Sequence, residues 1–178
     1  SATVTVGYTK SSTAENQLRD AGGNALATLG SAASVTVSND GEVPTVSGVS
    51  STSDNRSYSI GDLIPVTVTF SEAVVVDTSG GTPTLTLETG TTDRTATYVS
   101  GSDSTVLVFN YTVQSGDTSS DLAYTGTNAL ALNSGTIEHR AGNAATLTLA
   151  AVGDTGSLSY NRAIAIDGAL PTLSARAA

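Results

Sequence analysis

Apolar and polar residues alternate with a period of two through most of the middle of the chain. Ile64, Val66, Val68 and Phe70 alternate with Pro65, Thr67, Thr69 and Ser71, the pattern of a strand with one buried face. Leu85 and Leu87 alternate with Thr84, Thr86 and Glu88, and Leu107, Phe109, Tyr111 and Val113 form the longest inward row. Leu147 with Leu149 predicts a further strand, and Ile164 with Ile166 a short last one. The outer faces are rich in Thr, whose β-branched side chain packs well on a pleated surface.

Turn signals punctuate these runs: Ser79-Gly80-Gly81, Gly101-Ser102-Asp103, Ser115-Gly116-Asp117 and Gly153-Asp154. Glycine supplies positive φ, and Asp bonds back to nearby backbone. Short strands separated by regular turns predict an all-β antiparallel sandwich. The Ala-rich tracts at 21–33 and 141–151 are broken by Gly and Thr and carry no 3.6-residue stripe, so no helix of three turns is expected.

Composition narrows the setting. Seven basic against sixteen acidic residues leave a net charge of −9, which argues against a nucleic-acid partner or an anionic membrane surface. Cysteine is absent, which removes disulfides, zinc-thiolate sites and cysteine nucleophiles together. No basic start followed by an apolar run is visible, and no stretch approaches the ~18 apolar residues that span a bilayer as a helix. A segment excised from a longer polypeptide, or a processed product, is the expectation.

An internal repeat sets the organisation. Leu18-Arg19-Asp20-Ala21-Gly22-Gly23-Asn24-Ala25 matches Ile137-Glu138-His139-Arg140-Ala141-Gly142-Asn143-Ala144. Further on, Asp40-Gly41-Glu42-Val43-Pro44-Thr45-Val46 matches Asp167-Gly168-Ala169-Leu170-Pro171-Thr172-Leu173. Residues 44–170 then form one complete repeat, residues 1–43 the last strands of a preceding one, and residues 171–178 the start of the next. Val4–Thr9 corresponds to the end of the strand at 105–114, and Val35–Val37 to the closing strand at 163–166. A few strands at 1–43 make no sandwich alone. They are expected to be completed by another chain or domain through strand addition.

The full repeat carries Tyr58-Ser59-Ile60-Gly61-Asp62, Val68-Thr69-Phe70-Ser71-Glu72-Ala73-Val74, Pro83-Thr84-Leu85-Thr86-Leu87 and Ala96-Thr97-Tyr98-Val99-Ser100-Gly101-Ser102. Leu107–Val113, Ala141-Gly142-Asn143-Ala144 and Ile166-Asp167 follow in order. The set resembles the bacterial Ig-like repeats strung in tandem through giant secreted surface proteins and adhesins. The first fragment, with Val4–Thr9 and Leu18–Ala25, is similar to a sister form in swimming-motility-type surface proteins. One departure stands out: the Asp usual before Ala-Gly-Asn is kept as Asp20 but replaced by His139-Arg140 in the second copy. The resemblance implies an Ig-like, Greek-key β-sandwich in a tandem array, extracellular and at the cell surface.

Candidate chemistry is sparse. His139 is the single histidine, and it sits where the two copies differ, so a solvated turn residue is expected rather than a catalytic base. No phosphate loop, nucleophile elbow or His-Glu-x-x-His motif occurs, and no enzyme is expected. Asn55-Arg56-Ser57 and Asn110-Tyr111-Thr112 match the glycosylation sequon by chance frequency. Calcium is the candidate cofactor, because Asp/Asn/Gly turns supply hard oxygen ligands. In a seven-strand sandwich, strand A runs away from the entry end and strand B returns. That places Glu72, with Asp40 and Glu42, at the entry end and Asp62 with Asp167 at the exit end. The alternative is that Asp-Gly before Pro is a linker turn and Glu72 closes a strand.

Two function classes follow. One is a structural or adhesive repeat, a spacer or filament-forming unit whose partners are neighbouring repeats. The other is a carbohydrate- or cell-surface-ligand-binding module, possible also beside a secreted enzyme. An exposed cluster of aromatic and carboxylate side chains at one end of the sandwich supports the latter, and a surface of scattered Thr and Ser the former. Tyr98 and Tyr111 are expected in the core or on a sheet face, and Tyr58, Tyr124 and Tyr160 at the surface.

Overall fold

A computed structural model describes residues 2–6, 35–39 and 42–170. The chain divides into two compact units, Ser1–Glu42 and Val43–Ala178. In the first, β1 (Ala2–Val6) and β2 (Val35–Asn39) pair antiparallel, from Ala2 opposite Asn39 to Val6 opposite Val35. The sequence motif at 18–25, Asp40 and residues 171–178 lie outside the described residues.

The second unit is an all-β sandwich. Its first elements are β3 (Val46–Ser51), β4 (Ser57–Ser59), β5 (Leu63–Asp77), β6 (Thr84–Glu88), β7 (Arg94–Ser100) and β8 (Ser104–Thr112). Short pieces follow: β9 (Thr118–Ser119), β10 (Ala123–Tyr124), β11 (Leu130–Ala131), β12 (Thr136–His139), the single helical turn α1 (Leu158–Asn161) and β13 (Ala165–Asp167). The large sheet runs β10-β6-β7-β8-β5-β12, with β11 also on β6 and β3 also on β5. The consecutive strands β6, β7 and β8 lie side by side, and β5 returns beside β8, which is a Greek-key order. A second sheet has the order β4-β13-β9, with β13 parallel to β4.

Strand β7 divides its pairing between two neighbours. Residues 94–97 of that strand pair with β6, whereas 97–100 pair with β8 across a register shift. The register shift between Tyr98 and Ser100 marks an irregularity of the β-bulge kind, where local twist increases.

The core is built by the period-two rows. Ile64, Val66, Val68 and Phe70 on β5 face Tyr111, Phe109 and Leu107 on β8, and all are buried. Each such side chain contributes about 1.5–3 kcal/mol of burial free energy. Phe109 and Tyr98 meet edge to face, with ring centroids 5.8 Å apart. Leu85 and Leu87 join from β6, and Leu149, Leu158, Ile164 and Ile166 close the cluster.

Four expectations are corrected. Leu149 is buried and Leu147 half-buried, but this stretch makes no strand. Its backbone groups are spent singly, Ala145 N–H on Ile137, Thr146 N–H on Pro44 and Leu149 N–H on Thr127, so no ladder forms. Tyr58 and Tyr124 are buried rather than exposed. Each hydroxyl finds a backbone carbonyl, Asp54 for Tyr58 at 3.0 Å and Ala150 for Tyr124 at 2.6 Å, which lets a polar tip enter the core. His139 ends strand β12 and is half-buried rather than a solvated turn residue. The helical turn α1 is too short to bear on the expectation that no helix of three turns occurs; Ser157 caps it by accepting from Tyr160 N–H, and buried Leu158 pins it. The pairing of β1 with β2 also differs from the second unit, where their counterparts β8 and β13 belong to different sheets.

Candidate functional site

At the entry end, Pro44 and Thr45 lead into β3. Ser71 N–H donates to the Thr45 carbonyl at 2.8 Å, and Thr45 N–H donates to Ser71 Oγ at 3.0 Å. Glu72 follows Ser71, and so returns to the entry end. By parity it occupies the inward row, between buried Phe70 and buried Val74. Its Oε2 lies 3.6 Å from His139 Nε2, while Oε1 is buried and has no hydrogen-bond partner among the described residues. His139 Nδ1 accepts from Ala141 N–H at 3.2 Å, which leaves the ring proton on Nε2, facing the carboxylate. His139 thus ties the turn at 139–142, closed by Gly142 N–H on the His139 carbonyl, to β5. Glu42 is exposed and belongs to the first unit.

At the exit end, Asp62 Oδ2 accepts from Ser59 N–H at 2.9 Å and Asp62 N–H donates to the Ser59 carbonyl at 3.0 Å. These bonds close a tight turn whose Gly61 has φ +92°, a conformation that favours glycine. Arg56 Nη1 stands 3.9 Å from the same carboxylate and its guanidinium covers the Tyr58 ring at 3.8 Å. Asp167 is the register partner of Ser59, and its Oδ1 accepts from Ala169 N–H at 3.2 Å. The structure therefore brings Asp62 and Asp167 to one end and Glu72 to the other. Each exit carboxylate already serves its own turn, and among the described residues no three His, Asp or Glu side chains gather as a metal cage.

A shallow cleft of about 330 Å3 lies along β12 and the adjoining end of β5, with Asp77, Thr136, Glu138, His139 and Arg140 in its wall. Arg140 is engaged by Asp103 at 2.7 Å. The backbone N–H and then the hydroxyl of Ser79 hold Asp77 below its ordinary carboxylate value. Mixed charge in an open groove suits weak polar contacts rather than a desolvated reaction centre.

The most tightly built polar cluster is one that sequence reasoning missed. Asp117 is buried, with 1% exposure. Its Oδ1 accepts from Arg94 Nε at 2.8 Å, and its Oδ2 accepts from the Tyr111 hydroxyl at 2.7 Å and from Gln114 N–H at 2.9 Å. Burial pushes this carboxyl up, but the bonds from Arg94, Tyr111 and Gln114 outweigh it and hold the group below its ordinary value. Burial, reinforced by the bond to Asp117, drives the Tyr111 hydroxyl well above its own. The turn it organises carries the exit strand: Gly116 N–H donates to the Gly168 carbonyl at 2.9 Å, and Gly168 N–H to the Asp117 carbonyl at 2.7 Å. The only hint in the sequence is an Asp in the turn that follows the longest inward row.

Comparison with family models, with curated proteins and with solved structures finds no match for this chain.

Proposed function

We propose that the chain is a structural repeat of a long extracellular bacterial surface protein, an Ig-like sandwich that serves as spacer or filament-forming unit rather than as an enzyme. One observation carries this reading: the second unit takes in its chain beside Ser71 and releases it beside Ser59 and Gly116, at the opposite end. A sandwich so threaded adds length when copied head to tail. The two joints share one sequence pattern, Asp-Gly-x-x-Pro-Thr followed by an aliphatic residue, at Asp40–Val46 and Asp167–Leu173. Parallel pairing of β4 with β13 supports the same role, because a pull between the ends loads that ladder in shear.

The rival reading, a carbohydrate- or surface-ligand-binding module, calls for exposed aromatic side chains clustered with carboxylates at one end of the sandwich. Tyr160 is exposed, but Tyr58, Tyr111 and Tyr124 are buried and Tyr98 packs on the core, so the spacer is preferred. Calcium, where it binds, belongs at a joint in this reading, with Asp62 and Asp167 of one sandwich and oxygens of the next. Small-angle scattering from chains carrying one, two and three copies of residues 44–170 tests the proposal. A constant increment in maximum dimension per copy supports it; compact particles that do not lengthen refute it.

A further inference from the structure

The exit end of the second unit bears large apolar side chains in water. Ile60 is 42% exposed, Leu63 50% and Leu170 66%. They share that end because β4, β5, β8 and β13 all have their Ser59, Leu63, Thr112 and Asp167 termini there. Leu63 is opposite Thr112, Asp167 opposite Ser59, and Gly61 N–H bonds to the Val113 carbonyl. Val43, which occupies the position of Leu170 in the earlier joint sequence, is also 46% exposed.

The exit strand is held until the last residue before these side chains leave the domain. Gly168 lies between the two bonds of the Gln114–Asp117 turn, and a β-carbon there would run into the Gln114 carbonyl oxygen and stand 2.7 Å from that of Asp117. The joint sequence then restarts at once, since Pro171-Thr172 repeats Pro44-Thr45. Thr45 is itself held, by its two bonds with Ser71 and a parallel bridge to Thr146. Four residue steps separate one held point, Gly168, from the residue that repeats the other, Thr172. Fully extended they span at most about 14 Å, and Pro171 restricts the residue before it as well. A tether that short brings the end loops of successive sandwiches into contact.

We infer that Ile60, Leu63 and Leu170 form a docking face for the entry end of the following sandwich, the end that carries the Ser71–Glu72 edge and the turn at 139–143. The inference rests on the tandem reading above and adds a surface to it: the joint is a packed interface, so consecutive sandwiches turn as one body. Burial of these side chains at the joint removes an exposed apolar patch that a free sandwich leaves in water.

The test uses the full chain with residues 171–178 replaced by a second copy of residues 44–170. Backbone 15N relaxation reads the motion of each sandwich, and urea unfolding reads stability. The expected result is one rotational correlation time shared by both copies. Ile60→Ser with Leu63→Ser in the first copy is expected to split it into two shorter ones, while leaving the urea midpoint of the 178-residue chain unchanged. Two independent correlation times without substitution overturn the docking face and leave the tandem reading standing, since both copies are folded. One shared time that survives the double substitution overturns the assignment to Ile60 and Leu63. A second copy that fails to fold overturns the tandem reading and this inference with it.

Discussion

Asp117→Ala removes the acceptor on which three groups converge. In the native chain the carboxylate is 1% exposed and takes bonds from Arg94, Tyr111 and Gln114. After truncation the Tyr111 hydroxyl, itself on a side chain 1% exposed, is left without its acceptor. The Arg94 side chain is 27% exposed and can turn to water. Breaking a buried pair on one side costs about 3–5 kcal/mol, a large part of a typical domain stability of roughly 5–15 kcal/mol. Tyr111→Phe deletes one donor but leaves Arg94 and Gln114 in place, so it costs about 1–1.5 kcal/mol. The double variant is sub-additive, with a coupling energy of about 0.5–3 kcal/mol. Urea denaturation followed by tyrosine fluorescence measures all three, since the chain has six Tyr and no Trp. The pH dependence adds a check with a fixed sign. The folded carboxyl titrates below its unfolded counterpart at about 3.9. Its contribution is therefore complete above that value and is lost as pH falls through the lower, folded-state value. An Asp117→Ala loss under about 1 kcal/mol at neutral pH, or additive single and double variants, refutes the reasoning.

Further outcomes follow from the packing. Phe109→Ala empties a fully buried site in the middle of β8 and is expected to cost about 3–5 kcal/mol, read in the same urea assay; a loss under about 1 kcal/mol contradicts the register. Gly168→Ala is expected to cost about 1–3 kcal/mol, because its β-carbon meets the Gln114–Asp117 turn; an unchanged midpoint argues against the clamp. Calcium is expected to raise the midpoint of a two-sandwich chain more than that of the 178-residue chain, and EDTA to reverse it. An equal shift in both places the ion within one sandwich, and no shift in either removes calcium from the joint. Hydrogen exchange in a monomeric sample is expected to be fast over Ala2–Val6 and Val35–Asn39 relative to β5, because a two-stranded sheet is marginal in water. Strong protection there at low concentration overturns the expectation that residues 1–43 need completion by another chain.

The long strands were legible because their inward rows are unbroken, even where Val106 and Val108 make the outer face of β8 apolar as well. Ile64 to Phe70 and Leu107 to Tyr111 carry apolar residues at every second position, and these are buried together. Down-and-back threading set Glu72 beyond the end of its strand, at the entry end; instead β5 continues to Asp77, so Glu72 lies inside the strand and does not close it. The two-residue ladders β9, β10 and β11 span a single period of alternation and left no pattern to read. Tyr58 and Tyr124 were misjudged because a tyrosine among Ser, Asp and Gly looks exposed unless its hydroxyl has an acceptor. For Tyr124 that acceptor, Ala150, is 26 residues on and is set by tertiary folding, whereas Asp54 lies only four residues before Tyr58. The Asp117 cluster was hidden as the Tyr124 bond was: Arg94, at the start of β7, is 23 residues away in sequence from Asp117, which lies in a turn. What the chain alone displays is which positions are inward; which polar groups meet there depends on how the strands and turns are brought together.

The central claim is that the second unit is a repeat through which length and tension are passed from end to end. Single-molecule pulling on the 178-residue chain, held by its two ends, tests it most directly. The account predicts one cooperative unfolding peak for the sandwich, followed by release of roughly 440 Å of extended chain from residues 44–170, because the parallel β4–β13 ladder is loaded in shear. Gradual lengthening without a peak, as strands peel from the edge one at a time, would contradict it.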